Sequence, residues 1–229
     1  TNNFAVGNSI NSRIAARYSG LTFSEGNLKL QTTAGTYPGL ESTIGMTAGK
    51  WYAEFKATDA ANWTLVGVVG GQATANDEYI GKASDSYGFA GGTAAGSSNS
   101  KVNNSTFASY AATYADGDII GVALDLDNLA IYFSKNGTWE DSGDPESGGT
   151  KTGAAYTVTA VSNTRAGAYF FACGNYSGSD TPDWEANFGN PPYANSSSVA
   201  DANGYGAFEY AVPSGYLALC TKNLGSTGG

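Results

Sequence analysis

The chain lacks histidine altogether and has only two cysteines and one methionine among its 229 residues. With no imidazole and with Cys173 well separated from Cys220, a zinc site of the usual tetrahedral kind is excluded. A cysteine nucleophile would also lack the histidine base that normally activates it. Both cysteines lie in apolar, strand-like segments, so we expect two buried thiols rather than a disulfide.

Charged residues are also few, at 14%, and 11 Lys and Arg against 20 Asp and Glu give a net charge of −9. Nucleic acids and anionic lipids attract clusters of basic side chains, which this sequence does not contain. No apolar run reaches the roughly 18 residues of a membrane-spanning helix. These absences favour an acidic extracellular or particle-borne protein that binds no nucleic acid and does not insert into membranes.

Aromatic residues and glycine are abundant, with 15 Tyr, 10 Phe, 4 Trp and 32 Gly. No segment has a sustained helical periodicity, whereas short apolar or alternating runs recur between Gly, Asn and Ser clusters. The alternation in Trp51–Lys56 places Trp51, Ala53 and Phe55 on one face. Further predicted strands are Thr64–Val69, Ser86–Ala90, Tyr156–Val161, Ala168–Cys173, Trp184–Phe188 and Tyr216–Cys220. Many short strands with glycine-rich turns predict a single β-sandwich or barrel.

Residues 116–139 carry the strongest local signal, a hairpin of two alternating runs on either side of Asp127-Asn128. A second turn, at Asn136-Gly137, ends the pair. Asp125 and Asp127 are two residues apart and therefore share a face, which makes them a candidate for the paired carboxylates of a glycoside hydrolase. No third acid lies close by in the sequence, so we favour a structural role for this pair.

A series of short motifs resembles the SPRY domain family over about residues 45–192. The motifs are Gly49–Glu54, Val66–Val68, Ser86–Phe89, Asp116–Val122, Asp125–Asp127, Phe133–Gly137 and Asn187–Gly189. The resemblance implies an all-β fold, an antiparallel two-sheet sandwich of the concanavalin-like jelly-roll kind, used mainly for recognition and not for catalysis. It also implies that Asp125 and Asp127 cap the hairpin turn. We expect one domain over residues 1–224, with both flanks wrapping the core, and a flexible tail or linker at 225–229.

The flanks and one insert are similar to SPRY-type modules of bacteriophage structural proteins. The similar segments are Trp139–Pro145, Phe188–Tyr193, Ala200–Gly206 and Pro213–Leu224. This narrower resemblance implies a tail-fibre, spike or capsid-decorating module on a virion surface. Its expected partners are other virion proteins and a host-surface glycan or protein, and we expect it to be a homo-oligomer within an assembly. The alternatives are a purely structural virion subunit and, with less support, a glycan-degrading or lectin-type sandwich.

Five aromatic residues fall in or beside predicted loops and are the first candidates for partner binding: Trp63, Tyr79, Trp139, Tyr176 and Tyr205. Rings of this kind anchor sugars and protein partners. Each ring could instead fold back to seal one end of the sandwich. The predicted long loops are Gly91–Ser109, Glu140–Ala155 and Tyr193–Phe208.

The loop after Trp139 contains four acids, Glu140, Asp141, Asp144 and Glu146. Their oxygens suggest calcium, but the spacing is not that of an EF-hand and Pro145 stiffens the loop. We therefore expect no cofactor, keep calcium as the alternative, and include Asp141 and Asp144 among the partner-binding candidates.

Overall fold

The computed structural model describes residues 1–10, 21–32, 37, 39–60, 63–75, 77–92, 99–176 and 181–227. Its strands are β1 (Leu21–Ser24), β2 (Lys29–Thr32), β3 (Gly39–Glu41), β4 (Lys50–Asp59), β5 (Thr64–Val69), β6 (Ser86–Gly91), β7 (Ser100–Asn103), β8 (Thr106–Ser109), β9 (Ile119–Asp125), β10 (Ala130–Lys135), β11 (Thr138–Trp139), β12 (Tyr156–Thr157), β13 (Phe170–Asn175), β14 (Asp183–Asn187) and β15 (Leu217–Ala218). One α-helix, α1 (Thr221–Thr227), ends the described chain, and 3-10 turns occur at Glu25–Asn27, Glu140–Ser142, Gly148–Thr150 and Val161–Asn163.

The strands form two sheets. The larger has the order β1-β2-β14-β4-β9-β10-β11, with β12 beside β10 and β15 beside β4. The smaller has the order β3-β13-β5-β6-β7-β8. Every strand pair is antiparallel except β15 with β4. The all-β, two-sheet sandwich expected from the sequence is confirmed.

The main core lies between the two sheets and follows the alternation of their strands. Trp51, Ala53 and Phe55 of β4 all belong to it, as the sequence predicted. The Phe55 ring lies 6.4 Å from that of Phe171 on the opposite sheet. Because Phe55 and Phe171 are fully excluded from water, burial of each ring contributes about 1.5–3 kcal/mol to stability.

The central hairpin has the predicted form, and its aspartates hold it together. Asp125 accepts hydrogen bonds from the backbone N and the Nδ2 of Asn128, at 2.9 and 2.8 Å. Its carboxylate also pairs with Lys50 Nζ at 3.1 Å. Asp127 accepts a bond from Gly49 N at 2.9 Å, which ties the turn to the start of β4. Asp125 therefore caps the turn, as the family resemblance implied, whereas Asp127 bonds to the neighbouring strand and not within the turn.

The outer face of the larger sheet is covered by the C-terminal part of the chain. Phe208 packs edge-on against Tyr52, with ring centroids 5.1 Å apart. Glu54, on the same face, is fully buried and accepts bonds from the backbone N of Glu209 and of Tyr210, both at 2.9 Å. The N-terminus joins this layer through Ala5 N, which donates to Leu219 O at 2.8 Å.

Several predicted boundaries were wrong. Predicted strands Tyr156–Val161 and Tyr216–Cys220 shrink to Tyr156–Thr157 and Leu217–Ala218, because the chain leaves the sheet after two residues. The predicted loop 91–109 contains β7 and β8, and β1, β2 and β3 were not predicted. Of the predicted tail 225–229, the first three residues belong to α1, while 228 and 229 lie outside the described residues.

Cys173 and Cys220 are buried and unpaired, which confirms the expectation of two free thiols. Burial raises the pKa of the Cys173 thiol well above its usual value, so it remains protonated. Among the described residues, no helix has the length and apolar content needed to cross a membrane.

Candidate partner-binding surface

The outer face of the smaller sheet begins with a row of small residues. Directly opposed residues of antiparallel strands share a face, and the register aligns Ala172, Gly67, Gly88 and Val102 across four strands. The row leaves little side-chain height above the sheet. Space is tight at Gly67, where an added Cβ would lie 2.0 Å from Tyr87 O. A side chain at Gly67 would therefore collide with the backbone of the neighbouring strand β6.

A loop that we call the outer loop, residues 70–75 and 77–85, covers this row. Tyr79 and Ile80 are both buried on the sheet, at 8% and 6% exposure. Ile80 Cγ2 would lie 3.2 Å from a Cβ added at Gly88, so the small residue there makes room for the loop. These side chains form a separate apolar cluster with Leu65, Val69, Ala90, Val102 and Ala172.

Arg165 anchors the outer loop through two of its carboxylates. Its guanidinium pairs with Asp85 at 2.9 Å and also contacts Glu78. Glu78 in turn accepts a bond from Thr74 N at 2.7 Å. Because Glu78 and Asp85 are almost fully buried, Arg165 supplies the charge that makes their burial tolerable. The loop is therefore held at both ends.

Five aromatic rings, one of which is Tyr79 of the outer loop, pack on one another at this face of the smaller sheet. We call them the outer aromatic cluster, and they are Tyr37, Trp63, Tyr79, Phe107 and Tyr176. The centre is Tyr176, whose ring lies 4.7 Å from Trp63 and 5.2 Å from Phe107. Tyr176 N also donates to Trp63 O at 2.9 Å, which fixes the two backbones side by side.

Exposure divides the cluster into two parts. Tyr79 is buried, whereas Tyr37, Trp63, Phe107 and Tyr176 are each only half-buried. Burial raises the pKa of the Tyr79 phenol, and a hydrogen bond with Ser105 opposes that rise. Beside it, Lys82 pairs with Asp77, so its charge is compensated. The exposed rims of the rings thus form an apolar surface with little net charge.

The structure brings together three of the five aromatic residues proposed from sequence, namely Trp63, Tyr79 and Tyr176. The expectation of an exposed ring was wrong for Tyr79, which is 8% exposed because its side chain packs on the sheet in one cluster with Val69, Val102 and Ala172. Tyr79 supports the surface and does not present itself to a partner.

The remaining proposed residues lie elsewhere. Trp139 packs edge-on against Tyr52 on the larger sheet, with centroids 6.4 Å apart, and is half-buried there. Tyr205 is half-buried beneath Lys222, whose Nζ lies 5.3 Å from the ring centroid. Neither ring contacts the outer aromatic cluster.

Asp141 and Asp144 are exposed, but the acidic loop is organised by its own hydrogen bonds. Asp144 accepts from Glu146 N at 2.9 Å, and Glu146 accepts from Ser214 N at 2.8 Å. In the described part of the chain, no three acidic or cysteine side chains are grouped closely enough to hold a metal ion.

Sequence reasoning missed Tyr37 and Phe107. Phe107 lies on β8, within a segment predicted to be a loop, because its hairpin turn has no glycine. The turn residues Asn104 and Ser105 both have positive φ, at 49° and 61°. Asn-Gly is the usual signal of such a turn, and Asn-Ser is a much weaker one. Tyr37 also has a positive φ, of 53°, which no sequence pattern indicates.

A sequence model of the SPRY domain matches residues 50–171. No curated protein matches the chain in sequence. Among solved structures, the SPRY domain of human HERC1 superposes with a TM-score of 0.52 at 17% identity, covering 72% of this chain and 91% of that domain. The stonustoxin structure superposes with a TM-score of 0.54 at 18% identity, covering 80% of this chain and 27% of stonustoxin. At these identities the two structures establish similarity of fold alone.

Proposed function

The chain belongs to the SPRY domain family, and we propose that it is a non-enzymatic recognition module that binds a protein partner through the outer aromatic cluster. One observation carries the proposal: four half-buried rings meet on the outer face of a sheet whose inner face already supplies the core. Large rigid rings that keep part of their surface in water are the usual anchors of protein interfaces.

The rings that seal the sandwich differ from those of the cluster. Phe55, Phe171 and Trp184 are at 0% exposure, so they have no surface to offer. Trp63 packs against Tyr176 and retains an exposed side. An aromatic residue in that position contributes less to stability than a core ring does. A partner that covers it would bury the remaining apolar surface, and this burial would contribute to the free energy of binding.

The orientation of the rings in the outer aromatic cluster favours a protein partner over a glycan. Sugar rings stack on flat aromatic faces that have polar groups beside them. Here Tyr37 and Phe107 stand nearly perpendicular to Tyr176, at 77° and 85°, and Trp63 is tilted from it by 37°, so the half-buried rings do not share one plane. Apolar side chains of a polypeptide fit between edge-on rings of this kind.

The finer part of the proposal places the domain on a bacteriophage virion surface, as a fibre, spike or decorating module that contacts a host-surface protein. The similarity of Trp139–Pro145, Ala200–Gly206 and Pro213–Leu224 to phage structural proteins supports this placement. Repeated copies on a particle would convert weak single contacts into strong attachment by avidity.

Binding of the multivalent domain to bacterial cells tests the proposal. The biotinylated full chain would be tetramerised on fluorescent streptavidin, and its binding to a panel of bacterial strains would be measured by flow cytometry. We expect binding to a subset of strains, lost after proteinase K treatment and retained after periodate oxidation of surface glycans. Binding that survives proteinase and disappears with periodate would contradict a protein partner, and binding to no strain would contradict host attachment. Concentration-dependent self-association that Trp63→Ala abolishes would instead assign the cluster to contacts between virion subunits.

A further inference from the structure

The two outermost strands of the smaller sheet differ in what lies beside them. The second edge of β3 is covered by the N-terminal segment, where Asn8 N donates to Glu41 O at 2.7 Å. Thr43 N continues this contact by donating to Val6 O at 2.8 Å. Along β8, nothing in the described ranges pairs with the second edge. Within the described ranges, the sheet therefore ends at β8 in a row of backbone groups without a strand partner.

The register of the hairpin identifies those groups. A two-residue turn at Asn104-Ser105 is closed by the pair Asn103 and Thr106, and hydrogen-bonded pairs then alternate with non-bonded pairs. Tyr110 N donates to Asn99 O at 3.0 Å, in keeping with this alternation. The N–H and C=O groups of Phe107 and Ser109 consequently point away from β7, toward the open edge.

The hairpin that carries this edge is held in position by the outer loop. Asn103 Nδ2 donates to Ser84 O at 3.0 Å and to Ser86 O at 2.8 Å. At the turn, Ser105 N donates to Gly81 O at 3.0 Å. An incoming strand would thus meet a preorganised edge and would not have to order it.

Features that normally protect an open edge are missing from β8. Proteins commonly block such strands with lysine, proline, a bulge or an inward-pointing charge. The sequence Thr106–Ser109 contains no charged residue and no proline, and its pairing with β7 has an unbroken register. Thr106, Ala108 and Ser109 are exposed. Such an edge is open to strand addition.

We propose that an extended segment of the protein partner adds to β8 as a further strand of the smaller sheet. Phe107 and Ser109 each offer one N–H and one C=O, so about four backbone hydrogen bonds would form. The residue opposite Phe107 would lie on the outer face, beside a ring whose centroid is 6.1 Å from that of Tyr79. The segment is therefore expected to carry apolar or aromatic residues at alternate positions, directed toward the outer aromatic cluster.

A partner segment fits this edge better than a second copy of the chain. Two β8 strands paired about a two-fold axis would bring together only four residues from each copy. Such a contact falls far short of the roughly 1,000 Å² that a stable interface buries. A free segment can continue past the edge and cover Trp63 and Tyr176 as well. The inference rests on the proposed function and specifies the form that the partner takes.

Panning a random 12-residue peptide library against the immobilised full chain tests the inference. We expect selected peptides to share an alternating apolar pattern and to slow amide exchange at Phe107 and Ser109 at least tenfold. Ser109→Pro removes one outward N–H, at a place where an edge strand tolerates proline, and should weaken peptide binding at least tenfold. Ser109→Ala keeps that N–H and should change the affinity less than twofold.

Three outcomes would overturn strand addition: no peptide selected, selected peptides that bind Ser109→Pro unchanged, or no slowing of exchange at Phe107 and Ser109. Peptides sensitive to Trp63→Ala but insensitive to Ser109→Pro would remove strand addition and leave the proposed role of the cluster intact. If thermal melting shows that Ser109→Pro does not fold, the amide exchange of Phe107 and Ser109 in the unsubstituted chain, measured with and without peptide, tests strand addition instead. Self-association of the peptide-free chain that Ser109→Pro abolishes would assign the edge to a second copy and overturn the inference.

Discussion

The ring of Tyr176 stands edge-on to the ring of Tyr79, with centroids 4.4 Å apart and planes at 76°. Tyr79 is at 8% exposure, while Tyr176 is half-buried and continues outward to Trp63. The buried ring of Tyr79 therefore supports the half-buried rings of Tyr176 and Trp63, which form the surface. We therefore expect the stability of the domain to depend on Tyr79, and the binding of a partner to depend on Tyr176 and Trp63.

Replacing Tyr79 with alanine should lower the free energy of unfolding by about 3 kcal/mol, because removing a buried aromatic ring from its apolar cluster leaves a cavity. Trp63→Ala should cost about 1 kcal/mol, since that ring is only partly buried. Urea denaturation of the two variants measures the difference. A larger loss for Trp63→Ala would contradict the division into support and surface.

Arg165→Ala should destabilise the domain by about 2–4 kcal/mol, because it leaves the buried carboxylates of Asp85 and Glu78 without a counter-charge. Lys29 is a matched control: its side chain is also 29% exposed, but it makes one ion pair with Glu185 at 3.6 Å. Lys29→Ala should cost less than about 1 kcal/mol. Equal losses in chemical denaturation would show that Arg165 does not anchor the outer loop.

Glu54 should make stability depend on pH in a defined direction. Burial raises the pKa of its carboxyl above the ordinary value of 4.5, although hydrogen bonds from Glu209, Tyr210 and Asn187 oppose the rise. A raised folded-state pKa gives stability that is complete below the unfolded pKa and is lost as pH rises through the folded-state value.

Denaturant melts of the native chain and of Glu54→Gln, from pH 4 to pH 8, measure this dependence. The native chain should lose stability relative to Glu54→Gln as pH rises, and the difference should then level off. A difference that grows in favour of the native chain would mean that the hydrogen bonds outweigh desolvation and that the pKa is lowered.

Gly67→Ala should destabilise the domain by at least about 2 kcal/mol, because the new Cβ would meet the carbonyl of Tyr87 at 2.0 Å and force the strands apart. Gly225 in α1 has no atom within 4 Å of an added Cβ. Gly225→Ala should leave stability unchanged or raise it by a few tenths of a kcal/mol to about 1 kcal/mol. Thermal melts of both variants check the contrast, and a silent Gly67→Ala would be inconsistent with close strand packing at this row.

The fold was predictable where turn residues and the alternation of apolar residues indicated the same strands. The alternation of Trp51, Ala53 and Phe55 and the turn after Asp125 were sufficient to identify the central strands of the larger sheet. The site was only partly predictable. Trp63 and Tyr176 stood out because they flank predicted strands, but Phe107 was hidden by a turn without glycine. Tyr79 is buried in a cluster with Val102 and Ala172, which come together only after the strands of the smaller sheet have paired.

The double substitution Trp63→Ala and Tyr176→Ala, compared with Trp139→Ala in the cell-binding measurement, tests the central claim most directly. Trp139 is also half-buried but lies on the larger sheet, so it controls for loss of an aromatic surface elsewhere. We expect the double variant to bind at least tenfold more weakly, as loss of interface anchors does, and Trp139→Ala to bind within twofold of the native chain. Native binding by the double variant, or a larger loss for Trp139→Ala, would contradict recognition through the outer aromatic cluster.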